Sequence, residues 1–325
     1  MKHLTKLFLI GLTAVAGQFG AVASAQADPA SCKSVTLGLV EWTDLEVTST
    51  VAEVLLEKLG YEVHTVTDSV GGVYGQMAAK DADIFLGNWM PANASVIGPF
   101  LEKGQLEVLE TNLNGALYTL AVPKYVYDQG VTSVADLAKY ADKFENRIYG
   151  LEKGNGGNAL VLDMINKDAF GLKDFELIET SERLMLAQVK GKTKKGEWIA
   201  FLAWTPHPMN RNFDIAYLDG ADDYFGPDKG SAHVRTIVRK GYETECPNVT
   251  RLLTNLTFSL DMEEKVMDQV MNGFVPTKRA VRMWMNQNEV QLSHWLNGVK
   301  TIDGQVPNSI EMAKALEVGW GRLKD

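Results

Sequence analysis

The sequence predicts an α/β protein with two lobes joined by two chain crossings, and three observations support this. Beyond a short N-terminal segment, 300 residues remain, more than one hydrophobic core usually organises. Apolar runs of strand length alternate with stretches of helical periodicity. One cysteine, Cys32, lies near the start of these residues, and the other, Cys246, lies in the last third of the chain. If they pair, the first and last thirds of the chain belong to the same lobe.

Residues 1–25 have the pattern of a secretory signal. Two lysines precede a short apolar stretch, and Ala23-Ser24-Ala25 is typical of a cleavage site. A membrane anchor is the alternative, but the apolar core is short for a spanning helix. We therefore predict a cleaved signal peptide and a periplasmic location.

Loss of these 25 residues changes the formal net charge from −9 to −11, because they hold two lysines and no acidic residue. An acidic protein of this kind disfavours nucleic acid and anionic membranes as partners. Export also favours a disulfide between Cys32 and Cys246. Two buried free thiols are the alternative.

The first lobe is predicted to begin with a β-α-β-α-β unit, which forms a parallel sheet with helical crossovers. Its strands are expected at residues 35–40, 62–66 and 83–88, and its helices at 44–60 and 72–79. The helix at 44–60 has apolar residues at helical spacing and ends at a glycine.

A second α/β unit follows with its own alternation of elements. Strands are predicted at 117–123, 147–151, 175–180, 198–204 and 214–218, and helices at 133–141, 159–167 and 182–190. A strand at 233–242 leads back to Cys246, and the remainder is predicted helical, including 248–256, 262–273 and 309–320. The first lobe therefore comprises residues 26–115 and 225–325, and the second 116–224, with crossings near 112–118 and 219–236.

Three apolar runs end on a tryptophan and then turn polar, at Trp42, Trp89 and Trp204. Ligands of open α/β sheets bind beyond the carboxyl ends of the strands, so these rings are predicted to meet at a cleft, with Tyr118 at a chain crossing. A group of indole faces suits a cation that cannot donate hydrogen bonds, such as a quaternary ammonium. Each tryptophan alone could be an ordinary core residue, as we expect for Trp198, Trp284, Trp295 and Trp320.

Two polar residues are candidate partners for the rest of such a ligand. Asp44 could neutralise the cation or accept a hydrogen bond from a ligand hydroxyl. Its alternative role is the N-cap of the following helix. Asn155, in the loop EKGNGGN, could present its amide to a hydroxyl or be a turn residue in the left-handed conformation. No Lys-Ser/Thr pair follows the glycines, which argues against a nucleotide P-loop.

Enzymatic motifs are not found in the sequence, which contains no G-x-S-x-G, H-E-x-x-H or C-x-x-C. The histidines lack metal-ligand spacing, although His207 lies close to Trp204 and is a candidate for the pocket wall. We predict no catalytic residue, metal or cofactor.

The segments EWTDLEVTS, DIFLGNWMP, LYTLAVP, EKGNGGN and FLAWTPHPMN together resemble the glycine betaine/choline substrate-binding family of bacterial ABC uptake systems, and within it the periplasmic choline-binding proteins. The resemblance covers the chain beyond the signal. It implies a two-lobed periplasmic binding protein of type II that closes over its ligand, and a disulfide between Cys32 and Cys246. It also implies a box of Trp42, Trp89, Tyr118 and Trp204 around a trimethylammonium group, with Asp44 and Asn155 on the hydroxyl.

The sequence hypothesis is therefore a monomeric receptor that captures choline and delivers it to an inner-membrane ABC permease. A carboxylate in the pocket repels a ligand's own carboxylate, which favours choline over betaine or carnitine. A receptor for glycine betaine, carnitine or acetylcholine is the alternative within this class. A periplasmic enzyme acting on choline esters or phosphocholine is the alternative of a different class.

Overall fold

The computed structural model describes residues 28–316, so the predicted signal peptide and Trp320 lie outside the described residues. Within this range the strands are β1 (Ser34–Leu39), β2 (Glu62–Thr67), β3 (Ile84–Met90), β4 (Leu106–Pro123), β5 (Arg147–Tyr149), β6 (Glu176–Ile178), β7 (Ala200–Thr205), β8 (Ile215–Tyr217) and β9 (Ser231–Arg239). They form one mixed sheet in the order β2-β1-β3-β9-β4-β7-β5-β6, with β8 paired to β4.

The longer helices cover and connect these strands. They are α1 (Thr43–Lys58), α2 (Val70–Ala79), α3 (Ala94–Glu102), α6 (Gly156–Asn166), α7 (Glu182–Lys195), α12 (Pro247–Asn255), α13 (Leu260–Met271) and α14 (Thr277–Gln287). Shorter helices are α4 (Lys124–Tyr127), α5 (Val134–Leu137), α8 (Met209–Asn212), α9 (Asp222–Phe225), α10 (Pro227–Gly230), α11 (Tyr242–Glu245), α15 (Glu289–Trp295) and α16 (Ser309–Ala315), with 3₁₀ turns at Ala30–Cys32, Ala138–Phe144 and Ala169–Gly171. None of the helices within 28–316 is long and apolar enough to cross a membrane.

The sheet has two parallel regions, one in each lobe, as the alternation of elements predicts. In the first lobe β1 pairs in parallel with β2 and β3. In the second lobe β5 pairs in parallel with β6 and β7. Nearly every residue of β3 is buried, because a parallel sheet is covered on both faces, and this explains its continuous apolar run.

Strands β4 and β9 connect the two lobes. They are antiparallel from Leu106 opposite Arg239 to Leu117 opposite Ser231, with three irregularities of register. Beyond Leu117, β4 continues into the second lobe and pairs with β7 and β8. The two crossings predicted near 112–118 and 219–236 thus contain neighbouring strands of one ladder, while the lobe boundaries at 115/116 and 224/225 stay a prediction.

A disulfide joins Cys32 and Cys246, with their Cα atoms 5.7 Å apart. Cys32 ends the 3₁₀ turn before β1, and Cys246 immediately precedes α12. The bond confirms the predicted pairing and excludes two free thiols. It also joins the first and last thirds of the chain within the first lobe.

Candidate functional site

Four aromatic rings surround a small cavity between the lobes, with a volume of about 20 Å³. We call Trp42, Trp89, Tyr118 and Trp204 the aromatic box. Asp44, Asn93, Leu151 and Asn155 complete the lining. Each box residue is 4–6% exposed, although all four line a cavity. The structure therefore brings together all six residues that the sequence predicted for the site.

The box residues come from both lobes and are close enough for ring contacts. Trp89 is the penultimate residue of β3, and Trp204 is the penultimate residue of β7. Tyr118 lies in β4 just beyond the point where its pairing with β9 ends. Its ring centroid is 6.0 Å from that of Trp89 and 6.1 Å from that of Trp204.

Trp42 differs from its predicted position at the end of a strand. Strand β1 ends at Leu39, and Trp42 is the N-cap residue of α1. The backbone turns between these points, where the Trp42 N–H donates to the carbonyl oxygen of Val40. The ring reaches the cleft from a helix start rather than from the strand itself.

Asp44 lies in the first turn of α1 and is not its N-cap, so the capping alternative is wrong. Trp89 Nε1 donates to Asp44 Oδ2 at 2.9 Å. Burial and the nearby negative charge of Glu182 raise the pKa of Asp44 to about 6, against the opposing effect of the Trp89 hydrogen bond. A cation in the cavity would favour the ionised carboxylate.

Asn155 is the N-cap of α6 and has a φ of −64°, so the left-handed alternative is wrong for this residue. Gly154 takes the left-handed conformation instead, with a φ of +86°. Asn155 Oδ1 accepts hydrogen bonds from Tyr118 Oη at 2.9 Å and from the backbone N–H of Gly157 at 2.8 Å. Its Nδ2 donates to Glu152 Oε1 and retains a second hydrogen for a ligand.

The two glycines after Asn155 allow close approaches that a side chain would prevent. A Cβ on Gly156 would lie 2.4 Å from the carbonyl oxygen of Ala92 in the first lobe. A Cβ on Gly157 would lie 2.2 Å from Tyr118 Oη. The loop therefore packs against the aromatic box and the facing lobe, where its glycines serve close packing.

Two carboxylates near the box were not predicted from the sequence. Trp42 Nε1 donates across the cleft to Glu152 Oε2 at 3.0 Å, and burial raises the pKa of Glu152. Glu182 accepts from the backbone N–H and the hydroxyl of Thr43. In a sequence, a glutamate in a loop or at the start of a helix looks like an ordinary surface residue. Only the folded structure shows that these two lie beside the aromatic box.

The other tryptophans of the described residues do not line the cavity, as expected from their positions away from strand ends. Trp295 is fully buried, Trp198 is buried against Tyr140 and Phe144, and Trp284 is half-buried beside Trp295. His207 lies behind the pocket wall rather than in its lining. Its ring packs against Trp204 with centroids 4.8 Å apart.

The fold and the interlobe cavity define the class of a two-lobed α/β binding protein of type II. Comparison with known proteins identifies the family. The OpuAC model, the substrate binding domain of ABC-type glycine betaine transport systems, matches residues 33–287. The chain belongs to this family of transport substrate-binding proteins, whose members work in the periplasm or outside the cell and partner an ABC permease.

Solved structures support the same assignment over most of the chain. An ABC-transporter choline binding protein in complex with choline is 44% identical, with a TM-score of 0.86, over 89% of this chain and 100% of that one. An ABC-transporter choline binding protein in an unliganded semi-closed conformation has the same identity and coverage and a TM-score of 0.80. As a whole, the structure is thus more similar to the choline complex than to the unliganded one.

A relative from Listeria monocytogenes, the glycine betaine/carnitine transport binding protein GbuC, is 27% identical over 157 residues. The match covers 48% of this chain and 51% of that protein. This relative is thus named for ligands that carry a carboxylate.

Proposed function

We propose that this protein captures choline between its lobes and delivers it to the permease of an ABC transport system. The observation that carries the proposal is the aromatic box with a buried carboxylate, Asp44, in its lining. A cation over a desolvated ring gains up to about 2 kcal/mol, so four rings supply roughly 4–8 kcal/mol before ordering costs. Micromolar binding requires about 8 kcal/mol.

Negative charge around the box favours a cationic ligand without a carboxylate. Asp44 lines the cavity, and behind it lie Glu182, which is buried, and Glu152, which is half-buried. The lining residues of the cavity include no lysine, arginine or histidine. This negative charge would repel the carboxylate of betaine or carnitine. The hydroxyl of choline could instead donate a hydrogen bond to Asp44 and accept one from Asn155 Nδ2.

Calorimetric titration with choline, glycine betaine, carnitine and acetylcholine tests the ligand. We expect choline to bind most tightly and the two carboxylate ligands at least tenfold more weakly. Glycine betaine binding more tightly than choline would contradict the choline assignment and favour the alternative that the GbuC relative represents.

The proposed role includes no chemical step on the ligand. Incubation of the protein with acetylcholine or phosphocholine, followed by an assay for free choline, is expected to show the rate of buffer alone. Product release that rises with protein concentration would instead support an enzyme of choline esters or phosphocholine.

We also propose that the protein is exported with removal of residues 1–25. The charged start, short apolar core and small residues at 23–25 support cleavage before Gln26. Mass spectrometry of the protein from a periplasmic extract is expected to find Gln26 as its first residue. An uncleaved chain in the membrane fraction would contradict this.

A further inference from the structure

The start of α1 receives its cap from the opposite lobe. Its own N-cap residue, Trp42, makes no side-chain capping hydrogen bond, and the first N–H groups of a helix need acceptors. The backbone N–H of Thr43 donates to Glu182 Oε2 at 3.0 Å, and the Thr43 hydroxyl donates to Glu182 Oε1 at 2.6 Å. Glu182 is the first residue of α7 in the second lobe, so this cap requires the lobes to be closed.

Glu182 is itself held by a histidine that contacts the aromatic box. His207 Nδ1 accepts from the backbone N–H of Met209 at 2.9 Å, so the hydrogen lies on Nε2. Nε2 is 3.2 Å from Glu182 Oε1 and donates to it. The imidazole also packs against the Trp204 ring. His207 thus joins a ring of the box to the carboxylate that crosses the cleft.

The position of Thr43 makes this contact relevant to the ligand. Thr43 lies between Trp42 and Asp44, two residues that line the cavity. Fixing both its backbone N–H and its hydroxyl fixes the helix start from which these neighbours project. Glu182 is 4% exposed and His207 is 0% exposed, so water competes little for these hydrogen bonds.

We propose that Glu182 is a positioning residue for ligand capture: by capping α1 from the opposite lobe it latches the closed state, and through His207 it holds Trp204 in the box. This inference rests on the proposed function. It assigns to Glu182 and Thr43 a role in ligand retention without direct contact with the ligand.

Two conservative substitutions test the latch, Glu182→Gln and Thr43→Val. Glu182→Gln keeps the shape but loses the charge, and Thr43→Val removes the hydroxyl but keeps the backbone N–H. Hydrogen bonds to a charged group predict a loss of choline affinity of about tenfold to a hundredfold for Glu182→Gln. Stopped-flow tryptophan fluorescence should assign this loss to faster dissociation, with the association rate changed less than threefold.

A double-mutant cycle separates a latch from two unrelated structural effects. Because both substitutions weaken the same contact between Glu182 and Thr43, Thr43→Val should have a smaller effect in the Glu182→Gln protein than in the wild type. Asn212→Ala is the matched control, since Asn212 and Asn272 also exchange hydrogen bonds between the lobes, but at the exposed surface. We expect the control to change the affinity less than threefold.

The outcomes distinguish the latch from the proposed function. The latch would be overturned if the choline dissociation rate were unchanged in Glu182→Gln and Thr43→Val, or if their effects on affinity simply added. Choline binding by the wild type would still uphold the proposed function in that case. A wild-type protein that binds no quaternary ammonium compound would overturn both. Thermal unfolding of each ligand-free variant near the wild-type temperature excludes a general loss of folding as the cause.

Discussion

The polar ends of three box residues are fixed by hydrogen bonds, which orient their ring faces. Trp42 donates to Glu152, Trp89 donates to Asp44, and Tyr118 donates to Asn155. Buried Trp N–H and Tyr O–H groups usually have such partners. In this protein the partners are acidic or amide groups in or just behind the cavity lining. The same contacts therefore orient the rings and place negative charge beside them.

Trp204→Ala is expected to weaken choline binding by about tenfold to thirtyfold, because a desolvated ring contributes up to about 2 kcal/mol to a bound cation. Isothermal titration measures the change. Trp284→Ala is the matched control, since Trp284 is half-buried among the C-terminal helices and does not line the cavity. Equal affinity of the wild type and Trp204→Ala would mean that this ring has only a structural role.

Choline affinity is expected to fall as the pH decreases through about 6. Burial and the nearby charge of Glu182 raise the pKa of Asp44 to about 6 in this closed arrangement of the lobes, and a bound cation would lower it. Below pH 6 the ligand must therefore displace a proton, which costs up to about tenfold in affinity per pH unit. Titrations from pH 5 to 8 should show this slope below pH 6 and a plateau above it.

Asp44→Asn is the control for the pH dependence. The substitution keeps the size of the side chain and an oxygen for Trp89, but it removes the titrating group. We expect weaker binding at pH 8 and a nearly flat profile between pH 5 and 7. A slope like that of the wild type would assign the proton to another group, such as Glu152, whose pKa burial also raises.

At the scale of elements, the N-terminus of α6 approaches the facing lobe closely. Gly156→Ala would place a Cβ 2.4 Å from the carbonyl oxygen of Ala92. Because this contact joins the lobes, we expect a loss of choline affinity of at least tenfold with little loss of thermal stability. Titration and thermal unfolding measure the two effects separately.

Gly191→Ala provides the matched control for this prediction. Gly191 also lies in a helix, α7, and a Cβ there would have no atom within 4 Å. Replacing a helical glycine with alanine stabilises by about 0.5–1 kcal/mol, so this variant should unfold at a slightly higher temperature and bind choline as the wild type does. Normal affinity in Gly156→Ala would show that the lobes close without this approach.

The elements with strong apolar periodicity were predicted well, and those with mixed patterns were not. The buried strands β3 and β7 are predictable because nearly every position is apolar or small, and α1 because its buried face repeats at helical spacing. The first half of β4, LEVLETNLNGA, was missed since polar residues interrupt it where it joins the lobes. Helix α3 was also missed, and Pro99 lies inside it.

The aromatic box was predictable because tryptophan after an apolar run is distinctive in a sequence. The carboxylates that support it were not. Glu182 was placed correctly at the start of a helix, but its partners Thr43 and His207 are 139 and 25 residues away. The contact with Thr43 depends on how the lobes meet, and the contact with His207 depends on how the second lobe folds. Local sequence patterns carry no information about either.

At the scale of the whole molecule, the ladder of β4 and β9 makes one sheet continuous through both lobes. We therefore expect one cooperative unfolding transition in differential scanning calorimetry rather than two. Choline at a hundred times its Kd should stabilise the folded protein by about 2.7 kcal/mol and shift the entire transition. Two resolved peaks, with only one shifted by choline, would show that the lobes unfold independently.

The continuity of β4 also limits how the protein can be dissected. The predicted lobe boundary between residues 115 and 116 lies inside this strand, where Gly115 has a φ of +77°. A fragment ending there would carry half of β4, and the other fragment would lose the N-terminal half that pairs with β9. The lobes are thus separate bodies around a cleft, yet a cut at this boundary would divide one continuous strand between two fragments.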